Sequence, residues 1–392
     1  MSQTEVIANK PLRILQLNSL LTGGGTDDQC VKLAFALATL GHGVRIAGPD
    51  GRDFSKVIRA LAVPFYPTPP EGPLKLRFIK YVAKLIRRDR IQIVHGHHGR
   101  DIWPTILAAK ISRMRPKIVL TRHMAKSPST RFSRRLLLRR CDALVAVSNF
   151  VNQVLREGVY EPGSPEKERR SRPPLKGDLS KIHVVQGGID TGSFRPLDAT
   201  AQRREWGLHP GDYAFAMAGG YELPRGKGQR EFLQAAARIQ AQIPNARFLI
   251  IGRGNMGDVL REDIGRLGLN GRAWLTPYCD DMPMAMNAID CLVHSQVGTE
   301  AFGLVVLEAF ACGKPVIASA LDGIPEAFAV ANFGQLVKPE SVDELAAAML
   351  TWTARPGASR AEAEELHRRI AETHSTPAFG KRMVELYRRL LA

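Results

Sequence analysis

The sequence predicts an α/β protein of two doubly wound, Rossmann-like domains that face each other across a cleft. Three observations carry this. Short apolar runs of strand length alternate with amphipathic stretches of helix length along most of the 392 residues. The alternation pauses at Gly187-Gly188-Ile189-Asp190 and a hinge-like Phe194-Arg195-Pro196, then restarts at Tyr213. Glycine-rich turns follow strands in both halves, at the carboxyl edge where open α/β sheets take their ligands.

In the first half, Arg13–Asn18 reads as a buried strand running into Gly23-Gly24-Gly25 and an amphipathic helix from about Asp27 to Leu40. Strand, glycine loop and helix make a phosphate-tolerant turn. Asp28 stands where the third glycine of a dinucleotide fingerprint belongs, and the Lys-Ser/Thr of a P-loop is missing. The glycines therefore either let backbone approach a ligand or form a plain flexible turn. Val44–Gly48 is the next strand. After a Pro-rich connection, Pro64 to Pro73, Leu74–Arg88 is helical, with Leu74, Phe78, Ile79, Val82, Leu85 and Ile86 on one side and a basic opposite side. That stripe serves either the core or a membrane surface. Strand Ile91–Val94 delivers His95-Gly96-His97-His98 to its carboxyl end, and Lys117–Leu120 delivers Thr121-Arg122-His123, followed by Lys126. Two successive strands ending in histidine point to a cleft, and no acidic or cysteine partner stands at metal-ligand spacing. Arg131–Arg140 is a short basic helix, Asp142–Ser148 a strand, Gly158–Asp178 an exposed Pro- and charge-rich loop, and Lys181–Val185 a strand.

In the second half, strand Tyr213–Ala218 precedes a loop, Gly219 to Gly228, that offers Arg225 and Lys227 as a diphosphate clamp would. A helix from about Gln229 to Gln240, strand Arg247–Ile251 and the turn Gly252-Arg253-Gly254 follow. Strand Cys291–His294 then opens, through Ser295, onto Thr299–Pro315, which holds Glu300 and Glu308 eight residues apart. A helix starting near Gly303 and stopped by Gly313 and Pro315 would aim its free amides and positive dipole end beside Glu300, which suits a phosphate. Glu308, more than a turn further in, suits a sugar hydroxyl or ribose. At about 1.5 Å per residue the two carboxylates lie roughly 12 Å apart along a helix. A retaining glycosidase needs about 5 Å, so the two acids are expected on different parts of one long ligand. Taken alone, the same spacing also describes an amphipathic helix with a solvated Glu at each end. Pro315–Ser319 is a strand, followed by the turn Asp322-Gly323.

Composition narrows the classes. Five cysteines (Cys30, Cys141, Cys279, Cys291 and Cys312) form no C-x-x-C and no ligand spacing with histidine, which predicts neither disulfides nor structural zinc. With no long apolar run near the amino end, the expected location is cytoplasmic, or peripheral on the inner face of the cytoplasmic membrane. The net charge of +17 is unevenly spread: residues 1–190 hold 33 Lys and Arg against 15 Asp and Glu, and residues 191–392 hold 22 against 23. Such asymmetry implies either a polyanionic partner for the first half or a merely soluble basic surface.

Taken together, these motifs resemble GT-B fold retaining glycosyltransferases of family four, the group 1 glycosyltransferases of the lipopolysaccharide and envelope-glycan type. The resemblance runs from about Leu12 to Leu391, on Gly23–Gly25, His95/His97, Gly188-Ile189-Asp190 to Phe194, Lys227-Gly228, Gly252-Arg253-Gly254 and Glu300 to Glu308, in that order. It implies an acceptor-binding domain at 1–190, a nucleotide-sugar domain at 191–373, and a helix at 374–392 that packs back on the first. It implies that Gly24, Gly25, His123, Gly220, Gly252, Gly254 and Tyr278 lie around the donor. Glu308 would hold the ribose, Phe302, Gly303, Leu304 and Val305 the diphosphate, and Glu300 the sugar hydroxyls. Lys227 and Arg225 would neutralise the leaving diphosphate, with His97 against the reacting sugar. Transfer would retain configuration with no metal and no cofactor beyond the nucleotide-sugar substrate, and domain closure would expel water.

Three departures from the family pattern stand out. Tyr221 follows Gly220 where the family has Arg, with Arg225 as a stand-in; Gln186-Gly187 and His294-Ser295 replace Pro-Asn and Pro-Ser. The expected partners are a nucleotide-sugar, with UDP ahead of GDP and ADP, a glycan or glycolipid acceptor such as lipopolysaccharide core, and an anionic membrane surface. A soluble acceptor, a GT-B epimerase without acceptor and a non-catalytic nucleic-acid-binding protein are the alternatives. Against the last, the basic segments lack interleaved aromatics for base stacking, so no nucleic acid is expected.

Overall fold

The computed structural model describes residues 10–51, 57–59, 61, 63–70, 76–158, 173–277, 279–355 and 357–392. The chain forms two compact units, one running to Gly188 and resuming at Thr376, the other spanning Ile189–Ser375. The first contains β1 (Arg13–Leu17), α1 (Gly25–Thr39), β2 (Gly43–Gly48), β3 (Phe65–Pro67), α2 (Leu76–Arg88), β4 (Ile93–Gly96), α3 (Ile102–Ser112), β5 (Lys117–Arg122), α4 (Arg131–Arg140), β6 (Ala143–Ala146), α5 (Asn149–Glu157) and β7 (Ile182–Val184). The second contains α6 (Thr200–Glu205), β8 (Tyr213–Ala218), α7 (Gln229–Ile239), β9 (Ala246–Ile251), α8 (Gly257–Arg266), β10 (Ala273–Leu275), α9 (Met282–Ala288), β11 (Cys291–His294), α10 (Leu304–Ala311), β12 (Val316–Ser319), α11 (Ile324–Ala329), β13 (Gly334–Val337), α12 (Val342–Thr353) and α13 (Arg360–His374). The last helix, α14 (Thr376–Leu391), belongs to the first unit.

The first unit has a seven-stranded parallel sheet in the order β3-β2-β1-β4-β5-β6-β7, and the second a six-stranded parallel sheet in the order β10-β9-β8-β11-β12-β13. Helices cover both faces, so inner strands such as β4, β6, β11 and β12 are buried at every position. In each sheet the strand order reverses once, between β1 and β4 and between β8 and β11. Ligands of such sheets bind outside the carboxyl ends of the strands flanking the reversal.

Several local features depart from the sequence reading, each for an identifiable reason. The Pro-rich connection holds β3, which tolerates Pro67 because it is the outermost strand. The stretch Ile102–Ser112, which carries no clear helical stripe, is α3; Pro104 sits in its first turn, where a missing N–H removes no helix bond. The apolar stripe of α2 is core: Phe78, Ile79, Val82, Leu85 and Ile86 pack with Leu15, Leu17, Val94 and Ala108, which excludes a membrane role for those five side chains. Leu74 lies outside the described residues, as do residues 159–172 of the Pro- and charge-rich loop. α14 packs on α1, with Gly380 so close that a Cβ there would stand 2.7 Å from the Ala36 methyl.

Candidate active site

In the second unit, three loops meet beyond β8, β9 and β11. Gly252 and Gly254 are required by loop-on-loop contact: a Cβ would lie 2.2 Å from the Gly219 carbonyl at the first and 2.2 Å from the Tyr221 carbonyl at the second. The close approach that these two glycines allow is to the neighbouring loop. Tyr221, where the family has Arg, is a buried core residue whose hydroxyl donates to the Gly252 carbonyl at 3.1 Å. Gly220 accepts from the Gln229 amide at 3.2 Å and has open space above it, with nothing nearer a Cβ than the Arg253 carbonyl at 3.6 Å.

Gly228 sits at φ 96°, and a Cβ there would fall 1.8 Å from the Ser295 carbonyl oxygen; the Ser295 hydroxyl donates to the Gly228 carbonyl at 2.9 Å. The Lys-Gly loop is thereby locked onto the segment after β11. The consequence is that Lys227 Nζ stands 3.6 Å from Glu300 Oε2, although the two are distant in sequence. Glu300 is held in turn. The Ala301 amide donates to its Oε1 at 3.1 Å, its own amide donates to Asp322 at 3.2 Å, and its carbonyl accepts from Gly323 at 3.1 Å. Asp322 and Gly323, noted in the sequence only as a turn, therefore position the first acid.

Gly303, at φ 95°, caps α10 in the left-handed region, where glycine is needed for conformation since a Cβ would find its nearest neighbour at 3.6 Å. Among the described residues no side chain caps this helix end and its first turn holds no acid, so the positive end of the helix dipole is not offset there by a carboxylate. Phe302 is buried against the His374 ring, with centroids 5.9 Å apart. Glu300 lies in the loop before the helix and Glu308 in its second turn, so a separation along helix rise does not apply to this pair. Arg225 is exposed and pairs with Glu340 at 2.9 Å. Tyr278 lies outside the described residues.

His294 is a residue the sequence reading noted only as a departure. Its buried Nε2 is 3.9 Å from Glu300 Oε2 and makes no hydrogen bond among the described residues. Burial lowers its pKa to about 4, against the pull of Glu300, so the ring is neutral at physiological pH.

In the first unit, β1 and β4 place a polar cluster at the strand ends. His95 bonds Tyr387 and Thr121, each at 2.7 Å, and is fully buried; it is a structural residue that ties α14 to the sheet. His97 bonds the Gln16 side-chain oxygen through Nε2, leaving Nδ1 3.4 Å from His123 Nε2. Desolvation takes His95 and His123 to about 3 and His97 well below its ordinary value, so all three rings are neutral at physiological pH.

His98 Nε2 pairs with Asp27 at 2.8 Å, and Asp27 also accepts from Asn18 and from the Gly23 amide. Burial pushes the Asp27 carboxyl up, but the bonds from His98, Asn18 and Gly23 outweigh it and hold it below the ordinary range. No spacing rule connects Asp27 to His98, 71 residues on, and only the parallel pairing of β1 with β4 brings them together. Gly24 caps α1 at φ 99°, and Gly25 opens the helix; a Cβ at either would meet nothing within 4 Å among the described residues. The α1 amino end already carries Asp27 and Asp28, so unlike α10 it does not favour a further anion.

Two parallel, doubly wound units of this kind are the architecture of the GT-B glycosyltransferases. The chain shares that fold with Anabaena Alr3699/HepE, solved in complex with UDP, at a TM-score of 0.76 and 19% identity over 96% of this chain and 99% of that one. Residues 23–163 match the family described as Glycosyltransferase Family 4, and residues 198–373 that described as glycosyl transferases group 1. The chain belongs to the group 1, family 4 glycosyltransferases.

Among curated relatives, a D-inositol 3-phosphate glycosyltransferase of Segniliparus rotundus is 34% identical over 190 residues, which is 47% of this chain and 42% of that protein. A phosphatidyl-myo-inositol mannosyltransferase of Mycolicibacterium smegmatis is 27% identical over 346 residues, 83% of this chain and 80% of that protein. The chain spans less than half the length of the first curated relatives it matches, 42% and 48%.

Proposed function

We propose that the protein transfers a sugar from a nucleotide-sugar donor, a UDP-sugar first, to a membrane-associated glycolipid acceptor such as lipopolysaccharide core. The observation that carries this reading is the Lys227 ammonium 3.6 Å from the Glu300 carboxylate, in the unit whose α10 presents an uncapped amino end. In this reading the α10 amides and Lys227 meet the charge that develops on the departing diphosphate, where a lost donor costs about a hundredfold or more in rate. Glu300 takes the donor sugar hydroxyls and Glu308 the ribose. Arg225 leaves Glu340 to join the diphosphate, at small cost because an exposed ion pair is worth roughly 0–1 kcal/mol.

The transfer retains configuration without a metal, and the diphosphate accepts the proton of the attacking hydroxyl. His97 meets the reacting sugar as a neutral imidazole, His123 stands beside it, and the open space over Gly24 and Gly25 leaves room for the ligand. UDP comes first because the Anabaena neighbour was solved with it.

The charge excess of residues 1–190 supports an acceptor at an anionic surface. The described residues contain no helix long and apolar enough to cross a membrane. A second acceptor reading, a polyol phosphate or its lipid, is favoured by the relatives named for D-inositol 3-phosphate and phosphatidyl-myo-inositol. The test is nucleotide release from a panel of UDP-, GDP- and ADP-sugars, without and with a membrane glycolipid extract, for wild type and Glu300→Ala. Release that needs the extract and fails in the variant supports the reading. Absence of both release and donor binding would sink it.

A further inference from the structure

A cleft of about 560 Å³ opens in the first unit at the carboxyl end of β5, between the short turn at Gly99 and the start of α4. Its wall holds Arg122, which is 6% exposed. One guanidinium nitrogen donates to the Lys126 carbonyl at 2.6 Å, but Nε donates to nothing, and no carboxylate pairs with Arg122 among the described residues. Burial takes this guanidinium down to about 10, still well above neutrality, so it is charged. Leaving a buried cation without an anion costs several kcal/mol.

In the same wall the Ser127 hydroxyl is buried and has no hydrogen-bond partner among the described residues. Ser133 Oγ accepts from Trp103 at 2.9 Å and from Thr130 at 2.8 Å, which leaves its own proton to donate. Lys126 is exposed at the rim, and no acidic side chain lines the cleft among the described residues. The donors are also braced: Arg134 bonds the Pro128 and Ser129 carbonyls at 3.0 and 2.6 Å, and a side chain at Gly99 would crowd the Arg122 guanidinium at 3.1 Å.

A buried cation, two hydroxyls and an ammonium lining one cleft, with no acid among its described lining residues, match a doubly charged tetrahedral anion. We propose that this cleft binds a phosphomonoester, seated on the Arg122 guanidinium, Ser127, Ser133 and Lys126, with the group that bears the phosphate against Ile102 and Met124. The inference rests on reading the first unit as the acceptor-binding one, and it makes the acceptor a phosphorylated molecule. That phosphate belongs either to a soluble sugar or polyol phosphate or to a lipid headgroup.

The test is calorimetric titration of the full chain with inorganic phosphate and with glycerol 3-phosphate, in saturating UDP so that phosphate sites of the second unit are occupied. Wild type and Lys110→Ala, which removes an exposed charge elsewhere in the unit, are expected to bind alike. Lys126→Ala and Ser127→Ala are expected to weaken binding about tenfold each, and Arg122→Met to abolish it, with thermal melting reporting that each variant is folded. No binding by wild type, or binding as tight as wild type by Lys126→Ala and Ser127→Ala, overturns the proposal.

Vesicles containing phosphatidic acid or phosphatidylglycerol at equal charge separate the two sources. A Ser127→Ala loss confined to phosphatidic acid vesicles assigns a lipid headgroup. Glycerol 3-phosphate binding that falls while vesicle binding is unchanged assigns a soluble phosphate. Sugar-nucleotide turnover reads out the transferase proposal separately, so its failure with phosphate binding intact would leave this site standing.

Discussion

Adding one methyl group at Gly228 tests whether the lock between the Lys-Gly loop and the segment after β11 places Lys227. In Gly228→Ala the new Cβ would fall 1.8 Å from the Ser295 carbonyl oxygen, so the two segments must part by at least about 1.2 Å to reach the 3.0 Å that real Cβ contacts keep. A non-glycine residue at φ 96° adds about 1–2 kcal/mol of strain. Loss of the Ser295 to Gly228 hydrogen bond adds roughly 0.5–1.5 kcal/mol. For a unit of this size each kcal/mol moves the melting temperature by about 2–4 °C, so calorimetry should record a fall of roughly 3–14 °C. Activity should fall further than stability, because a displacement of about 1 Å at a charge-stabilising group costs on the order of a hundredfold in kcat.

Gly25→Ala is the control, since its Cβ meets nothing within 4 Å and its φ is not in the left-handed region. Its melting temperature should be unchanged or slightly raised, with any loss confined to KM. A Gly228→Ala protein with wild-type melting and wild-type kcat in the nucleotide-release assay would refute the reasoning.

Other outcomes follow from the same geometry. Lys227→Ala should lower kcat about a hundredfold or more with little change in melting, and a loss confined to KM would remove it from leaving-group stabilisation. Arg225→Ala should leave melting within about 0.5 kcal/mol of wild type, because its partner is an exposed acid, yet raise the donor KM severalfold; an unmoved KM would leave Arg225 as a surface ion pair alone. His95 is neutral in the fold, with a pKa of about 3 against an ordinary 6.5, so the unfolded chain binds the extra proton between those values. Stability is therefore fully present above pH 6.5 and lost as the pH falls toward 3, by about 2 kcal/mol at pH 5 for such a histidine. Melting at pH 7 and pH 5 should show the fall in wild type and a shallower one in His95→Gln, and a flat profile in wild type would contradict it.

The histidines show where sequence reading reaches and where it stops. His95, His97 and His123 were all legible as strand-end residues, because strand ends follow from apolar runs a few residues long. That His95 would turn to Tyr387 while His97 turned to Gln16 and His123 was not legible, since side-chain direction depends on which helices cover each face. Likewise Tyr221 and His294 stood out as departures from a pattern, but only packing made the first a core residue and brought the second to Glu300. Arg122 could be seen as basic and next to His123, and nothing local marked it as buried without an acid.

By itself the sequence determined the alternation of strands and helices, the restart after Phe194-Arg195-Pro196, the glycine turns and the Gly313–Pro315 helix stop, since each depends on periodicity or backbone freedom within about ten residues. Tertiary structure alone decided the pairings. The set of Lys227 against Glu300, His98 against Asp27 and α14 against α1 depends on the order and register of parallel strands, which connect residues separated by tens to hundreds of positions. Local preference carries no information about register or strand order, because the hydrogen bonds and buried surface that fix them form only when the whole sheet and its covering helices assemble.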